Sequence, residues 1–193
     1  MKEAKEKELA LATVCFLVSR NTETGNDELL LMWKPKDLYK PKIGEEKWNG
    51  LGGGVEPGES VLITAQRELF EETGNGVKAK AEHVERIAVV DFHNQKGDGS
   101  FFICRVHFFF VYEWTGSVGT NGEMVNPTWF PFNRMPWDDM MPADRDWLEP
   151  ILANYGKKRK KRVYAKAFLA KRQTEKVKPT EVIFVSNFKQ FEE

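Results

Sequence analysis

Three carboxylates within five residues are the side chains whose type and spacing could do chemistry here. Glu68 and Glu72 are four apart and Glu71 lies three beyond Glu68, so on a helix all three crowd one face. Like charges at that spacing destabilise a bare helix, and a cation between them relieves the repulsion. Carboxylate oxygens are hard ligands, which select magnesium, manganese or calcium over zinc or copper. Magnesium takes few protein carboxylates and completes its octahedron with water and substrate phosphate. An ordinary exposed acidic helix face is the competing reading, and the triplet alone leaves both open.

The flanking residues separate the two. Gly53 is followed by five residues and Glu59, then by seven residues and Arg67-Glu68; Leu69, Phe70, Glu71-Glu72, Thr73 and Gly74 complete the series. Seven fixed positions, each met by chance about one time in fifteen, coincide at roughly one starting point in a hundred million. The series resembles the Nudix box, here over residues 53–75. It departs from that pattern at the last place, where Asn75 stands for an aliphatic residue and Val77 is expected to fill the packing role. The resemblance implies the Nudix fold, an α+β class α/β/α sandwich with a central mixed β-sheet. It also implies a magnesium-dependent hydrolase, with manganese as a substitute, in which water attacks phosphorus and no covalent intermediate forms.

The resemblance further implies roles for particular residues. Glu68 and Glu72 would ligate metal directly, with Glu71, Glu123 and a backbone carbonyl near Gly52 assisting. Arg67 would orient the carboxylates through Glu59 or Glu71 rather than touch substrate. Glu71 and Glu123 are the candidates for general base. Gly52-Gly53-Gly54 would let backbone approach metal and phosphates where side chains would obstruct.

Beyond the box, the chain from about Thr13 to Phe188 is similar to the MutT-type oxidised-purine triphosphatases, the animal enzymes especially. The residues that carry this are Trp48-Asn49-Gly50-Leu51-Gly52-Gly53, Glu123-Met124, Pro127-Thr128-Trp129-Phe130, Met135-Pro136-Trp137, Asp139-Met140, Pro142, Asp144 and Trp147. In those enzymes an asparagine and two adjacent aspartates read the purine edge. Asn49 and Asp144 match, but Ala143 replaces the first aspartate and Met141 replaces an aromatic that stacks on the base. Phe92 and Met124 match apolar pocket positions, Lys34 a position near the nucleotide, and Thr13, Gly52 and Gly53 complete the expected substrate contacts. This resemblance implies a nucleoside triphosphate pyrophosphohydrolase that releases monophosphate and pyrophosphate, acting on oxidised purines such as 8-oxo-dGTP. The alternatives are a Nudix hydrolase of another nucleotide derivative and a non-catalytic nucleotide-binding module; retention of Glu59, Glu68, Glu71 and Glu72 counts against the latter. Without the resemblance, Asn49 reads as a turn cap beside Gly50 and Asp144 as a helix N-cap.

The elements that must position these residues are legible in outline. Ser60 to Thr73 is expected to be a helix with Val61, Leu62, Ala65 and Leu69 inward, Ser60 as N-cap and Gly74 ending it. A second helix is expected from about Asp144 to Tyr155, with Pro150 in its first turns. Strands are expected at Ala12–Val18, Glu28–Trp33, Arg86–Phe92, Phe101–Trp114, Thr128–Phe132, Tyr164–Leu169 and Glu181–Ser186, with a turn around Gly97-Asp98-Gly99. The run Phe108-Phe109-Phe110 is apolar on both sides and is expected to be a central buried strand, and Trp129 and Trp147 are expected in the core.

Composition bounds the rest. The 193 residues are 41% hydrophobic and 30% charged, which suits one globular domain over 1–193. Lys plus Arg and Asp plus Glu are 29 each, so no overall field favours a polyanion. Cys15 and Cys104 sit in apolar runs and read as buried free thiols. Leu9 to Val18 is too short to span a bilayer, and the protein is expected to be cytoplasmic. Lys157 to Arg162 is wholly basic and is expected to be a solvated insertion loop over about 156–162, with no stable nucleic-acid partner.

Overall fold

Alternate residues of the first strand divide the molecule into two faces. In the computed structural model, which describes residues 9–39, 42–96, 100–157, 161–171 and 173–191, β1 spans Leu9–Arg20. Its Cys15 and Leu17 enter one core and its Phe16 and Val18 the other, as a strand buried on both faces requires. The further strands are β2 (Asp27–Lys34), β3 (Lys47–Asn49), β4 (Leu51–Gly54), β5 (Val84–Gln95), β6 (Phe101–Val111), β7 (Val125–Pro131), β8 (Arg162–Ala170) and β9 (Glu175–Val185). Two helices accompany them, α1 (Val61–Glu72) and α2 (Asp144–Leu152).

The strands form one mixed sheet in the order β3-β2-β1-β6-β5-β8-β9, with β4 added to β1 and β7 to β2. β1 runs parallel to β6, aligning Val14 with Phe108, and β5 runs parallel to β8; the other pairings are antiparallel. β1 divides one edge between two partners. Its C-terminal end pairs with β2 (Val18 opposite Leu29), and its middle pairs with β4 (Thr13 opposite Gly53). That division brings the glycine-rich segment onto the sheet directly beside α1.

α1 covers one face through Ala65 and Leu69, packed with Cys15, Leu17, Met32 and Phe109. α2 covers the other through Trp147, Leu148, Ile151 and Leu152, with Trp147 against Phe108 at 4.2 Å between ring centroids. The architecture is the expected α+β sandwich, with β6 at its centre and Phe108, Phe109 and Phe110 all buried. Val77 is fully buried in the α1-side core while Asn75 is exposed with φ +60. The helix exit therefore turns outward at Asn75, and Val77 does the packing.

Several boundaries differ from expectation. Val61 and Leu62 are only half-buried, and Thr64 and Glu72 take the inward positions instead. Pro150 lies in the last turn of α2, not its first. There it removes the N–H that would bond Asp146, while the Ala153 N–H still bonds the Glu149 carbonyl at 2.9 Å as the helix ends, and Tyr155 packs from beyond it onto Phe132 at 5.0 Å. β7 begins at Val125 and β9 at Glu175, both earlier than their apolar residues suggest. β9 is an edge strand, mostly exposed, so no alternation marks its first half. Beyond it, Phe188 and Phe191 fold back over Val89, and Phe191 stacks on Tyr164 at 4.6 Å. Trp129 is half-buried and stacks on Trp114. Cys15 is buried and Cys104 partly so, both as free thiols. The turn expected at 97–99 and the middle of the basic run lie outside the described residues; of that run, Arg162 pairs with Glu85 at 3.2 Å and Lys161 sits 4.2 Å over the Phe184 ring. No helix among the described residues is long and apolar enough to cross a membrane.

Candidate active site

α1 is fixed at both ends before its carboxylates are placed. Ser60 caps it, its hydroxyl accepting from the Ile63 N–H at 3.3 Å, and Gly74 follows the C-cap with φ +69. Glu59, one residue before the cap, accepts from the Thr64 hydroxyl at 2.8 Å.

Arg67 organises the acidic side of the helix. Its Nε and one terminal nitrogen donate to the two oxygens of Glu59, both at 2.9 Å, and that second nitrogen also reaches the Gly54 carbonyl at 3.2 Å. Its other terminal nitrogen donates to Glu68 at 2.7 Å and to Glu71 at 3.3 Å. A planar guanidinium can hold this fork, which an ammonium could not. The Arg67 hydrogen bonds hold the Glu59 carboxyl down to about 2.

Glu72 turns the other way. It is 7% exposed and accepts from the Gly52 N–H at 2.5 Å. Burial pushes its carboxyl up to about 8, with the Glu68 charge adding to the shift and the Gly52 bond opposing it. Burial also raises Glu68, against the pull of Arg67. Gly53 leaves room for this: a Cβ there would lie 2.6 Å from the Glu68 carboxyl carbon. A Cβ on Gly52 would run into the Thr13 carbonyl and lie 2.7 Å from the Val14 Cα. Gly52 thus meets the Glu72 carboxylate through its N–H.

Glu123 stands across from the helix, at the loop before β7. Asn121 accepts from the N–H groups of Glu123 and Met124, both at 2.9 Å, and so shapes the turn. Lys42 Nζ lies 2.8 Å and Lys34 Nζ 3.5 Å from its carboxylate. The Lys42 hydrogen bond is the main reason its carboxyl is lowered, and its charge raises both Glu68 and Glu72. Among the described residues, no three His, Cys, Asp or Glu side chains close on one point at metal-ligand distances. Arg67 draws Glu68 and Glu71 toward Glu59, and Gly52 draws Glu72 inward.

Beside the carboxylates a cavity of about 400 Å³ opens on the α2 side of the sheet. It gathers every expected substrate contact, Thr13, Lys34, Asn49, Gly52, Gly53, Phe92, Met124, Met141 and Asp144, with Glu72 also in its wall. Asn49 does act as a turn cap, donating both amide hydrogens, to the Gly44 and Lys47 carbonyls, each at 2.9 Å. Asp144 is not an N-cap. Ala143 holds that place, and the Asp144 carboxylate, 7% exposed, accepts from the Trp147 indole N–H at 3.2 Å. Burial pushes the Asp144 carboxyl up to about 7. The Thr13 hydroxyl is buried with no hydrogen-bond partner among the described residues. Two neighbours of the site carry no signal in the sequence pattern, Lys42 in the polar loop before β3 and Gln173 in the β8–β9 turn.

The NUDIX domain profile matches residues 9–154. The oxidized purine nucleoside triphosphate hydrolase of Mus musculus is 30% identical over 128 residues, covering 64% of this chain and 77% of the mouse protein. The zebrafish (Danio rerio) protein of the same description is 32% identical over 115 residues, 60% of this chain and 69% of its own. In three dimensions the MutT protein from Bacillus halodurans superposes with a TM-score of 0.67 at 20% identity, covering 90% of this chain and 97% of that one. That likeness speaks to the fold, and the sequence match to the lineage. With the box from Gly53 to Gly74 complete except for the outward turn at Asn75, this chain belongs to the Nudix family of pyrophosphohydrolases.

Proposed function

We propose that this protein is a divalent-cation-dependent nucleoside triphosphate pyrophosphohydrolase that prefers oxidised purines and releases the nucleoside monophosphate and pyrophosphate. The observation that carries this reading is that one cavity, of a size to hold a purine nucleotide, has both the buried Glu72 and the buried Asp144 in its wall. A carboxylate for the metal end and a carboxylate for the base end thus face the same volume. The curated relatives bear names that agree with such a substrate.

The residues present fit a divalent cation. Glu68 and Glu72 are oxygen donors raised by burial and by neighbouring carboxylates, Glu71 and Glu123 for the first and Glu68 and Glu123 for the second, so added positive charge stabilises them in the ionised form. Glu68 and Glu72 would hold the ion, with Glu71 and Glu123 within reach of the same region. A bound magnesium ion supplies charge for the phosphate oxygens and a lowered pKa for its water. The chain does the rest. Arg67 fixes Glu68 and Glu71 through its shared fork. Lys34 Nζ, near both Glu123 and the cavity, pairs with phosphate oxygens. Glu123 or Glu71 takes the proton from the attacking water. Phe92 and Met141 hold the apolar faces of the base while Asp144 accepts from its edge.

The test is a magnesium-dependent screen of canonical and oxidised nucleoside triphosphates with both products identified. Pyrophosphate released from 8-oxo-dGTP well above dGTP is the expected result. Equal rates on the two would remove the oxidised-purine preference, and phosphate in place of pyrophosphate would overturn the reaction itself.

A further inference from the structure

The turn joining β8 to β9 places one long polar residue in the wall of the nucleotide cavity. Gln173 is 8% exposed and lines the same volume as Asn49, Met141 and Asp144. It also borders the adjoining groove shared by Gly44 and Met141, so it stands at the base-reading part of the wall. Its backbone is left-handed, with φ +68, a conformation that long side chains adopt rarely and that persists where the surroundings enforce it. The turn enforces it here: Lys171 has φ +47, and its carbonyl accepts from the Thr174 N–H at 3.3 Å and the Thr174 hydroxyl at 2.7 Å.

The hydrogen-bonding inventory of this part of the wall is one-sided without Gln173. Both amide hydrogens of Asn49 go to backbone carbonyls, which leaves its oxygen as an acceptor. Asp144 offers acceptors alone once it is ionised, above about pH 7, and Ala143 offers nothing polar. Two acceptors satisfy the N–H groups that a guanine-type edge presents, but not its keto oxygen. The other polar side-chain donors among the described lining residues lie at the carboxylate end: the Thr13 hydroxyl on β1 opposite Gly53, and Lys34 Nζ, 3.5 Å from Glu123. A keto oxygen brought to Asn49 and Asp144 therefore finds its donor at Gln173.

Resting on the proposed nucleotide function, we infer that Gln173 is a specificity-determining residue whose side-chain amide donates to the keto oxygen of a bound 6-oxopurine, favouring it over a 6-aminopurine. The test is calorimetric titration of the full chain with 8-oxo-dGMP and with 8-oxo-dAMP, so that the readout is binding rather than turnover. Gln173→Gly accepts the left-handed backbone and removes the amide; Gln173→Glu keeps the length and replaces donor by acceptor. Both variants should lose about tenfold in affinity for 8-oxo-dGMP, as one lost hydrogen bond in a buried site implies, and change by less than about twofold for 8-oxo-dAMP. Equal losses on both ligands, or no loss with 8-oxo-dGMP, would overturn the role of Gln173 while leaving the nucleotide function standing. A wild-type protein that binds neither monophosphate would overturn both.

Discussion

Adding one carbon at Gly53 separates the chemistry of this site from its stability. In Gly53→Ala the new Cβ would lie 2.6 Å from the Glu68 carboxyl carbon and 2.8 Å from Glu68 Oε2. Ordinary carbon contacts need about 3.5 Å or more, so the Glu68 carboxylate must retreat by about 1 Å. It is the far end of a flexible side chain, and it moves without disturbing β4 or α1. The retreat breaks its 2.7 Å bond to Arg67 and displaces a proposed metal ligand. Displacements of that size cost on the order of 10²-fold in rate, or roughly 2.7 kcal/mol of barrier. Gly52→Ala is the contrast. There the Cβ meets the Thr13 backbone carbonyl, which cannot move without parting β4 from β1. Overpacking against backbone costs about 1–3 kcal/mol or more, which for a chain of this size lowers Tm by roughly 3–10 °C. Thermal melts and pyrophosphate release, measured on both variants, test the argument. Gly53→Ala should melt within about 2 °C of wild type and lose about a hundredfold in kcat/KM, while Gly52→Ala should melt clearly lower. A Gly53→Ala enzyme with near-normal kcat/KM would refute the placement of Glu68.

Three further outcomes rest on the same geometry. Arg67→Lys can satisfy only one of the carboxylates that Arg67 now joins, so kcat should fall about 10–10²-fold with KM nearly unchanged; a fall confined to KM would place Arg67 on the substrate. Glu123→Gln should cost about 10²-fold or more in kcat and Glu71→Gln distinctly less, because Glu123 faces Glu68 and Glu72 from across the site while Glu71 projects half-exposed beyond Arg67; the reverse order in steady-state kinetics would make Glu71 the base. Burial raises Asp144 to about 7 from 3.8, so its favourable contribution to folding is complete below the lower value and is lost as pH rises through the upper one. The Tm of Asp144→Asn relative to wild type should therefore climb between about pH 4 and pH 7, and a constant difference across that range would show that Asp144 is not so buried.

The sequence disclosed the site better than its surroundings because fixed spacing survives on one helix. Glu59, Arg67, Glu68 and Glu71 are brought together by one cap and successive helical turns, with Glu72 one position on, which local pattern captures. Phe108 to Phe110 likewise announce a strand buried on both faces. What local pattern cannot hold is partnership. That β1 divides its edge between β2 and β4 is a matter of tertiary pairing, and it is this that seats Gly52 under Glu72. Asp144 is not a helix cap because α2 begins one residue earlier than that reading requires, with Ala143 at the cap, and its carboxylate accepts from the Trp147 indole instead. Pro150 suggested an early break in α2 but falls where the helix is already ending. Gln173 was invisible because a turn residue of β-hairpin type has no periodicity, and its importance lies in a cavity assembled from distant strands.

The central claim is that Glu72 and its neighbours act on a polyphosphate with the help of a divalent cation. The most direct measurement compares wild type and Glu72→Gln for pyrophosphate release from 8-oxo-dGTP in magnesium, with Tm and 8-oxo-dGMP affinity taken on the same samples. Wild type should release pyrophosphate and monophosphate in equal amounts. The variant should fold and bind the monophosphate as before, yet turn over slower by about 10³-fold, a barrier increase of roughly 4 kcal/mol. A variant with near-normal turnover, or a wild-type protein inert toward every triphosphate in magnesium and in manganese, would contradict the account.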